Sequence, residues 1–345
     1  MEDGYLKIKE FKIEEGIIHV LDVNCDYPIL NENYLNLSNE EINLFLTKHM
    51  EKILKDDELD LGQFCKEPEF ILGVYRFLRE EFSLIEVSKD ISEKFFNILV
   101  EHGGGISCDL LFLKLKTEFG NALCMIKLDY MKNYIHKIDY VDDKMKIDII
   151  PQYITLPSVS QRVNKACIFL RDSDDNFNLF FLDKSSTSVT KERTYFKDEF
   201  LNCERIYSNF SKTKDLIYFT EKWTRKNIKD DADKAFGIRE LFKEKISNGD
   251  ILNINSLAID IFKDDKSSLE SFIDFTEDNG IDGEIKIDKN YVLKKYERIR
   301  LKIDKDIDLY INKDSFYDIN RFEVKRNGDG SLNMIIKYII NYNEK

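Results

Sequence analysis

The sequence predicts an α+β protein, with N-terminal helices packed on an antiparallel sheet, then a mainly helical segment ending in a small antiparallel sheet. Three observations predict it. Apolar residues recur at helical spacing over residues 42–53, 70–78 and 91–99. The period then drops to two, with Leu111, Leu113 and Leu115 followed across Phe119-Gly120-Asn121 by Ala122, Cys124, Ile126 and Leu128. After residue 190 helical patterns return, and alternation reappears only from Arg298 onward. Both strands of the 111–128 hairpin are apolar on both faces near their middles, so the sheet should be covered on both sides.

Taken in order, Tyr5–Phe11 and Ile17–Asp22 are two short strand candidates. Ser38-Asn39-Glu40-Glu41 has the form of a capping box ahead of a helix whose stripe is Ile42, Phe45, Leu46, His49 and Ile53. Pro68 opens a second helix through Leu78, and a third runs from about Ser88 to Val100. Beyond the hairpin, Met145–Ile150, Ala166–Leu170 and Phe177–Leu182 are strands, punctuated by Pro151, Pro157 and the polar turn Asp172–Asn176. The polar stretch Lys184–Thr190 sets the domain boundary, giving an α+β domain over 1–185 and a helical plus β-hairpin domain over 186–345. Helices are expected at Lys191–Ile206, Asp215–Ile228, Asp233–Ile246, Ser256–Phe262 and Ser267–Asn279. Ser267-x-x-Glu270 reads as a cap for the last, and Asn279-Gly280-Ile281 as its left-handed stop. Strands at Ile299–Ile303 and Ile307–Ile311 come after it, then Phe322–Lys325 and Leu332–Tyr338 around the turn Asn327-Gly328-Asp329-Gly330.

At 345 residues and 43% hydrophobic content the chain can build sizeable cores, and two domains are expected. The formal net charge of −13 argues against a protein coated in basic surface, so any contact with nucleic acid has to come from a local patch. No apolar run reaches the roughly 18 residues of a membrane span, and Met1-Glu2-Asp3-Gly4 lacks the layout of a secretory signal, so a cytoplasmic protein without a membrane partner is expected. Cys25, Cys65, Cys108, Cys124, Cys167 and Cys203 include no Cys-x-x-Cys pair, which speaks against structural zinc and for small buried hydrophobes.

No catalytic motif stands out. His19, His49, His102 and His136 are isolated, and His49 falls on an apolar stripe, where a packed role fits better than a ligand role. Gly103-Gly104-Gly105 lacks the Gly-Lys-Ser/Thr and the following helix of a phosphate loop, and a turn into the sheet explains it better. No cofactor is called for. Asp308 with Glu323-Val324-Lys325 gives the Asp…Glu-x-Lys order of metal-dependent nucleases, in which two carboxylates hold Mg²⁺ and a lysine sits near the attacking water.

Basic clusters carry the stronger signal. Lys289, Lys294, Lys295, Arg298, Arg300 and Lys302 face only Glu297 as an acid within 289–302. On a strand, Arg298, Arg300 and Lys302 share a face at a repeat of about 6.6 Å, which can track phosphates, with Tyr291 and Tyr296 upstream. A solvated sheet face, with Lys302 opposite Asp308, explains the same pattern. Lys222, Arg225, Lys226 and Lys229, near Trp223, form a second cluster, three of which can share a helix face, diluted by Glu221 and the acids from Asp230 on. Ser256–Phe262 and Ser267–Asn279 could form a helix-turn-helix, but Glu270, Asp274, Glu277 and Asp278 would repel phosphate.

Several strings, in order along nearly the whole chain, resemble the bacterial nucleoid-associated protein family typified by YejK/NdpA. They are the hairpin ending Ile126-Lys127-Leu128-Asp129, Ile149-Ile150-Pro151…Leu156-Pro157 before Ala166–Leu170, Tyr195-Phe196-Lys197-Asp198-Glu199-Phe200-Leu201-Asn202-Cys203, and Ser256-Leu257 through Asn279-Gly280. Asn202 stands where a glycine is common in that family. The resemblance implies a non-enzymatic protein of the nucleoid that binds double-stranded DNA. Beside it stand two alternatives, an interaction subunit of a nucleic-acid-processing or phage-defence assembly with protein partners, and the metal-dependent nuclease. A homo-oligomer is compatible with each of the three.

Overall fold

The computed structural model describes residues 7–101, 107–141, 144–184, 195–229, 231–263, 265–303, 306–328 and 332–341. Two compact units divide the chain, one ending at Ile206 and the other beginning at Tyr207.

The first unit opens with β1 (Phe11–Leu21), a single strand bent by a register shift between Ile13 and Glu15 where two short strands were expected. Helix α1 (Glu40–Leu54) is capped by Asn39 rather than Ser38. The Asn39 carboxamide oxygen accepts from the N–H of Glu41 at 3.0 Å and of Ile42 at 3.3 Å. Next come β2 (Asp60–Phe64), which has no clear sequence signal, and α2 (Ile71–Leu78), which starts after Pro68 has closed a turn onto Ile71. Helix α3 (Leu84–Glu101) begins a turn earlier than its apolar stripe suggests, because Ser83 and Glu86 cap each other reciprocally.

Strands β3 (Cys108–Thr117) and β4 (Gly120–Asp129) form the predicted hairpin, with Leu115 opposite Ala122 and Leu111 opposite Ile126. The turn itself is Glu118-Phe119, and Gly120 is needed for a different reason than a turn: a Cβ there would lie 2.1 Å from the Arg171 carbonyl oxygen. Among the described residues, strands β5 (Met131–Val141) and β6 (Lys144–Thr155) pair only with each other, and Pro151 lies inside β6 instead of ending it, which a two-stranded ribbon tolerates at a free edge. Strands β7 (Lys165–Asp172) and β8 (Phe177–Asp183) are joined by the predicted Asp172–Asn176 turn, where Asp172 Oδ1 accepts from Asn176 N–H at 2.8 Å.

The glycines 103–105 and the expected boundary at 185/186 lie outside the described residues, as does the start of the expected 191–206 helix. The chain continues with a π-helical turn, Tyr195–Phe200, and then β9 (Cys203–Arg205). Phe196 and Phe200 insert beside Phe95 and Phe70, which places this aromatic string with the first core. Between turn and strand, Asn202 adopts φ +46°, a left-handed conformation that asparagine tolerates and glycine suits.

The sheet runs β1-β3-β4-β7-β8-β2-β9, all antiparallel. Leu110, Phe112, Leu123, Met125 and Phe169 face α2, α3 and the π-turn, while Leu111, Leu113, Cys124, Ile126 and Ile168 face α1. Both faces are covered, as the double apolar pattern requires.

The second unit begins with α4 (Asn209–Asn227) and α5 (Ala232–Asn248). Strand β10 (Ile251–Asn253) leads into α6 (Ile254–Phe262) and α7 (Lys266–Asp278), the latter capped by Asp265 instead of Ser267. Gly280 takes φ +75° and Ile281 is buried behind it, the predicted stop. Strand β11 (Glu284–Lys286) pairs with β10. Then come α8 (Lys289–Tyr296), β12 (Arg298–Ile303), β13 (Ile307–Asn312), α9 (Lys313–Tyr317), β14 (Phe322–Arg326) and β15 (Leu332–Ile336). The C-terminal strands form two separate two-stranded sheets, β12–β13 and β14–β15. The predicted turn between β14 and β15 falls partly outside the described residues.

Candidate nucleic-acid interface

Helix α8 organises the basic cluster. Asp288 caps it, accepting from Tyr291 N–H at 2.9 Å, while its own N–H donates to Thr213 Oγ1 at 2.9 Å and ties the cap to α4. Val292 is buried, with Tyr291 and Tyr296 packed on the same core. Helical phase then leaves Lys294 and Lys295 outward in the last turn, where the carbonyl end of the helix favours cations. Lys289 sits at the opposite end and is engaged. Its ammonium donates to the Ser247 carbonyl at 2.8 Å and lies 3.5 Å from Asp250.

The predicted stripe is set by the β12–β13 ladder. Arg298 lies opposite Asn312, Arg300 opposite Tyr310 and Lys302 opposite Asp308, the cross-strand arrangement weighed from the sequence. The side chains of Arg300 and Lys302 lie outside what is described. Lys294, Lys295 and Arg298 are exposed and form no ion pair among the described residues.

Lys295 and Arg298 share the wall of a cavity of about 450 Å³ with Arg239, Lys243, Glu221 and Glu240, alongside Tyr296, Phe316 and Tyr317. Arg239 holds Glu221 through two hydrogen bonds of 2.8 and 3.1 Å, and Arg225 adds a third at 2.5 Å. Burial raises the Glu221 pKa, but these hydrogen bonds outweigh it and keep the carboxyl below its ordinary range. The Lys243 ammonium lies 5.6 Å from the ring centres of both Tyr296 and Tyr317 and 3.7 Å from Glu240. Tyr317 Oη donates to Glu240 at 3.1 Å. Four cations therefore line the cavity against two carboxylates, and the carboxylates are engaged by residues other than Lys295 and Arg298.

Arg239 and Lys243 were missed in the sequence. Their signal was present, an Arg-x-x-x-Lys spacing on one helix face, but the acids around it in α5 hid it. In the second predicted cluster, Lys222 is half-buried over Tyr218 and Phe219, Arg225 is committed to Glu221, and Lys226 is exposed with no ion pair among the described residues. Trp223 is core, edge-on to Phe262 and Phe272, with its indole N–H donating to Ser271 Oγ at 3.2 Å.

The nuclease-like residues fall on different two-stranded sheets, Asp308 on β13 and Glu323 and Lys325 on β14. Lys337 and Lys325 both bind the Glu323 carboxylate and hold its pKa down. Among the described residues no three His, Cys, Asp or Glu side chains group so as to hold a metal ion, and no helix is long and apolar enough to cross a membrane. His49 is buried against Phe45, and burial keeps its pKa low. On α7, Glu270, Asp274, Glu277 and Asp278 are all exposed.

A family model described as nucleoid-associated protein YejK matches residues 17–344, nearly the whole chain. No curated protein matches it.

Proposed function

The chain belongs to the nucleoid-associated protein YejK family, and from that premise we propose that it is a non-enzymatic DNA-binding protein of the bacterial nucleoid that grips the phosphate backbone of the double helix. The observation that carries this reading is the open cationic cluster of Lys294, Lys295 and Arg298 at the α8–β12 junction, two of which, Lys295 and Arg298, line the cavity. Unpaired, solvent-facing lysine and arginine displace condensed counterions from DNA, whereas cations already held by carboxylates gain little from a phosphate. At an ionic strength near 0.1 M, charges more than about 10 Å away are largely screened, so the local cluster decides contact rather than the total of −13. The cluster presents ammonium and guanidinium groups to phosphates and no helix face suited to a groove, so a weak sequence preference is expected.

The test is duplex binding by fluorescence anisotropy over a salt series. The intact protein should lose affinity steeply with salt and bind scrambled duplexes within a few-fold of one another. The Lys294→Ala/Lys295→Ala/Arg298→Ala variant should flatten the log–log salt slope by roughly 2–3, at about 0.9 for each phosphate no longer neutralised. An unchanged slope moves the interface elsewhere. Absence of duplex binding by the intact protein hands the function to an interaction subunit.

A further inference from the structure

The ribbon β5–β6 has a face that nothing among the described residues covers. Its ladder places His136 opposite Ile149, Ile138 opposite Ile147 and Tyr140 opposite Met145, so these residues, with Tyr134 and Tyr153, lie on one side. Tyr134, Ile138, Tyr140, Met145, Ile147, Ile149 and Tyr153 are between 51% and 72% exposed. The other side carries the charges, and these satisfy themselves, Lys137 with Asp139 and Lys146 with Asp148, both at 3.0 Å. Strands of 11 and 12 residues that pair with nothing else among the described residues, apolar along one side, are at best marginally stable alone in water.

We propose that this face is a dimer interface and that its occupant is the same ribbon of a second copy of the chain. Two features of the ribbon select that occupant. Residues 131–155 hold four lysines and four aspartates, so a polyanion gains no net attraction there, and the apolar face offers only Lys132 and His136 to an ionic partner. Seven side chains exposed to this degree present on the order of 800 Å², about what each partner of a stable complex buries. A two-fold axis needs only one such face on each chain, and two ribbons stacked at about 10 Å make a four-stranded sandwich with the apolar side chains inside. This inference is independent of DNA binding.

Sedimentation of the full chain over a concentration series is the test. The intact protein should sediment at twice its 40.8 kDa. Ile138→Glu/Ile147→Glu should sediment as a single chain, with the dimer dissociation constant raised at least about a hundredfold and the thermal transition of the rest of the protein retained. Tyr140→Ser/Met145→Ser, a milder pair, should weaken the dimer less. Lys137→Gln/Lys146→Gln, on the opposite side, should leave it intact. A single chain at every concentration in the intact protein overturns the proposal, and so does a dimer that survives both apolar-face variants. Should the intact protein be a single chain and Ile138→Glu/Ile147→Glu lose duplex affinity, the ribbon is a DNA arm instead.

Discussion

The two units carry equal numbers of Lys and Arg, 26 up to Ile206 and 26 from Tyr207 onward, but 38 Asp and Glu in the first stretch against 27 in the second. The net charge of −13 is therefore almost entirely that of residues 1–206. Position adds a distinction that runs through both units: in the first, Lys7, Lys9 and Lys12 are exposed and form no ion pair among the described residues, while other cations are held. In the first unit, Lys165 is buried and meets Asp183 at 2.5 Å, Lys127 is buried against Asp129, Lys184 meets Asp56 at 2.5 Å, and Lys114 lies within 4 Å of Glu14, Glu15 and Glu80. In the second, Arg239 and Lys245 are likewise committed to carboxylates, while Lys294, Lys295 and Arg298 stay open to solvent. Net charge sums over cations already held by carboxylates and cations still free to meet a phosphate. Only the second kind bears on a polyanion, and the sum hides them.

The largest effect should come from breaking a first-unit pair. The Asp183 side chain is fully buried, and Lys165 also lies 4.8 Å from the ring centre of Tyr195. Lys165→Met takes the ammonium away from a buried carboxylate and should cost about 3–5 kcal/mol of stability, read as a lower urea midpoint. Lys165→Met/Asp183→Leu should recover most of it, because the buried carboxylate goes with its ammonium. Duplex affinity per folded molecule should be unchanged in both, and a loss there would make the first unit part of the interface.

A smaller, pH-dependent effect should come from His19. Its ring is buried, accepting from Asn31 N–H at Nδ1 (2.9 Å) and donating from Nε2 to Ser88 Oγ (2.8 Å). Ser88 in turn donates to the Ile85 carbonyl, so only the neutral ring fits. Burial, aided by Lys89, lowers its pKa to about 4 from an unfolded value of 6.5. Between those values the unfolded chain binds the extra proton. The contribution is thus complete above pH 6.5 and is lost as pH falls toward 4, a loss of about 3 kcal/mol. Urea midpoints of the protein and of His19→Asn should converge over that window. Curves that stay parallel would mean that the ring titrates normally.

The difference between the units also explains what could be read from the sequence. Periodicity exposed β3–β4, α2 and most of α4 to α7, because each buries a repeating face. Caps were displaced by one or two residues, to Asn39 and Asp265, because neighbouring Ser, Asn and Asp residues compete to accept the same N–H groups. The short helix α8 was missed. Only Val292 is buried along it, so its lysines looked like part of the following strand. Apolar alternation predicted Met145–Ile150 as a strand and gave no sign that its apolar face would be left bare. Pairing partners decide that, and they lie outside the local pattern. The free and committed cations were indistinguishable in one dimension for the same reason.

The smallest effect is the most discriminating one, because it compares two lysines of the same short helix. Lys289 is held by the Ser247 carbonyl and Asp250, whereas Lys295 has no ion pair among the described residues. If open cations alone release counterions, Lys295→Ala should reduce the salt slope by about 0.9 and Lys289→Ala by close to zero. The Lys289 substitution frees Asp250, but that carboxylate is already highly exposed, so it incurs no desolvation penalty and adds little repulsion at moderate salt. Equal slopes for the two variants would show that being paired in the free protein does not protect a lysine from recruitment by DNA. The distinction between the units would then rest on acid count alone.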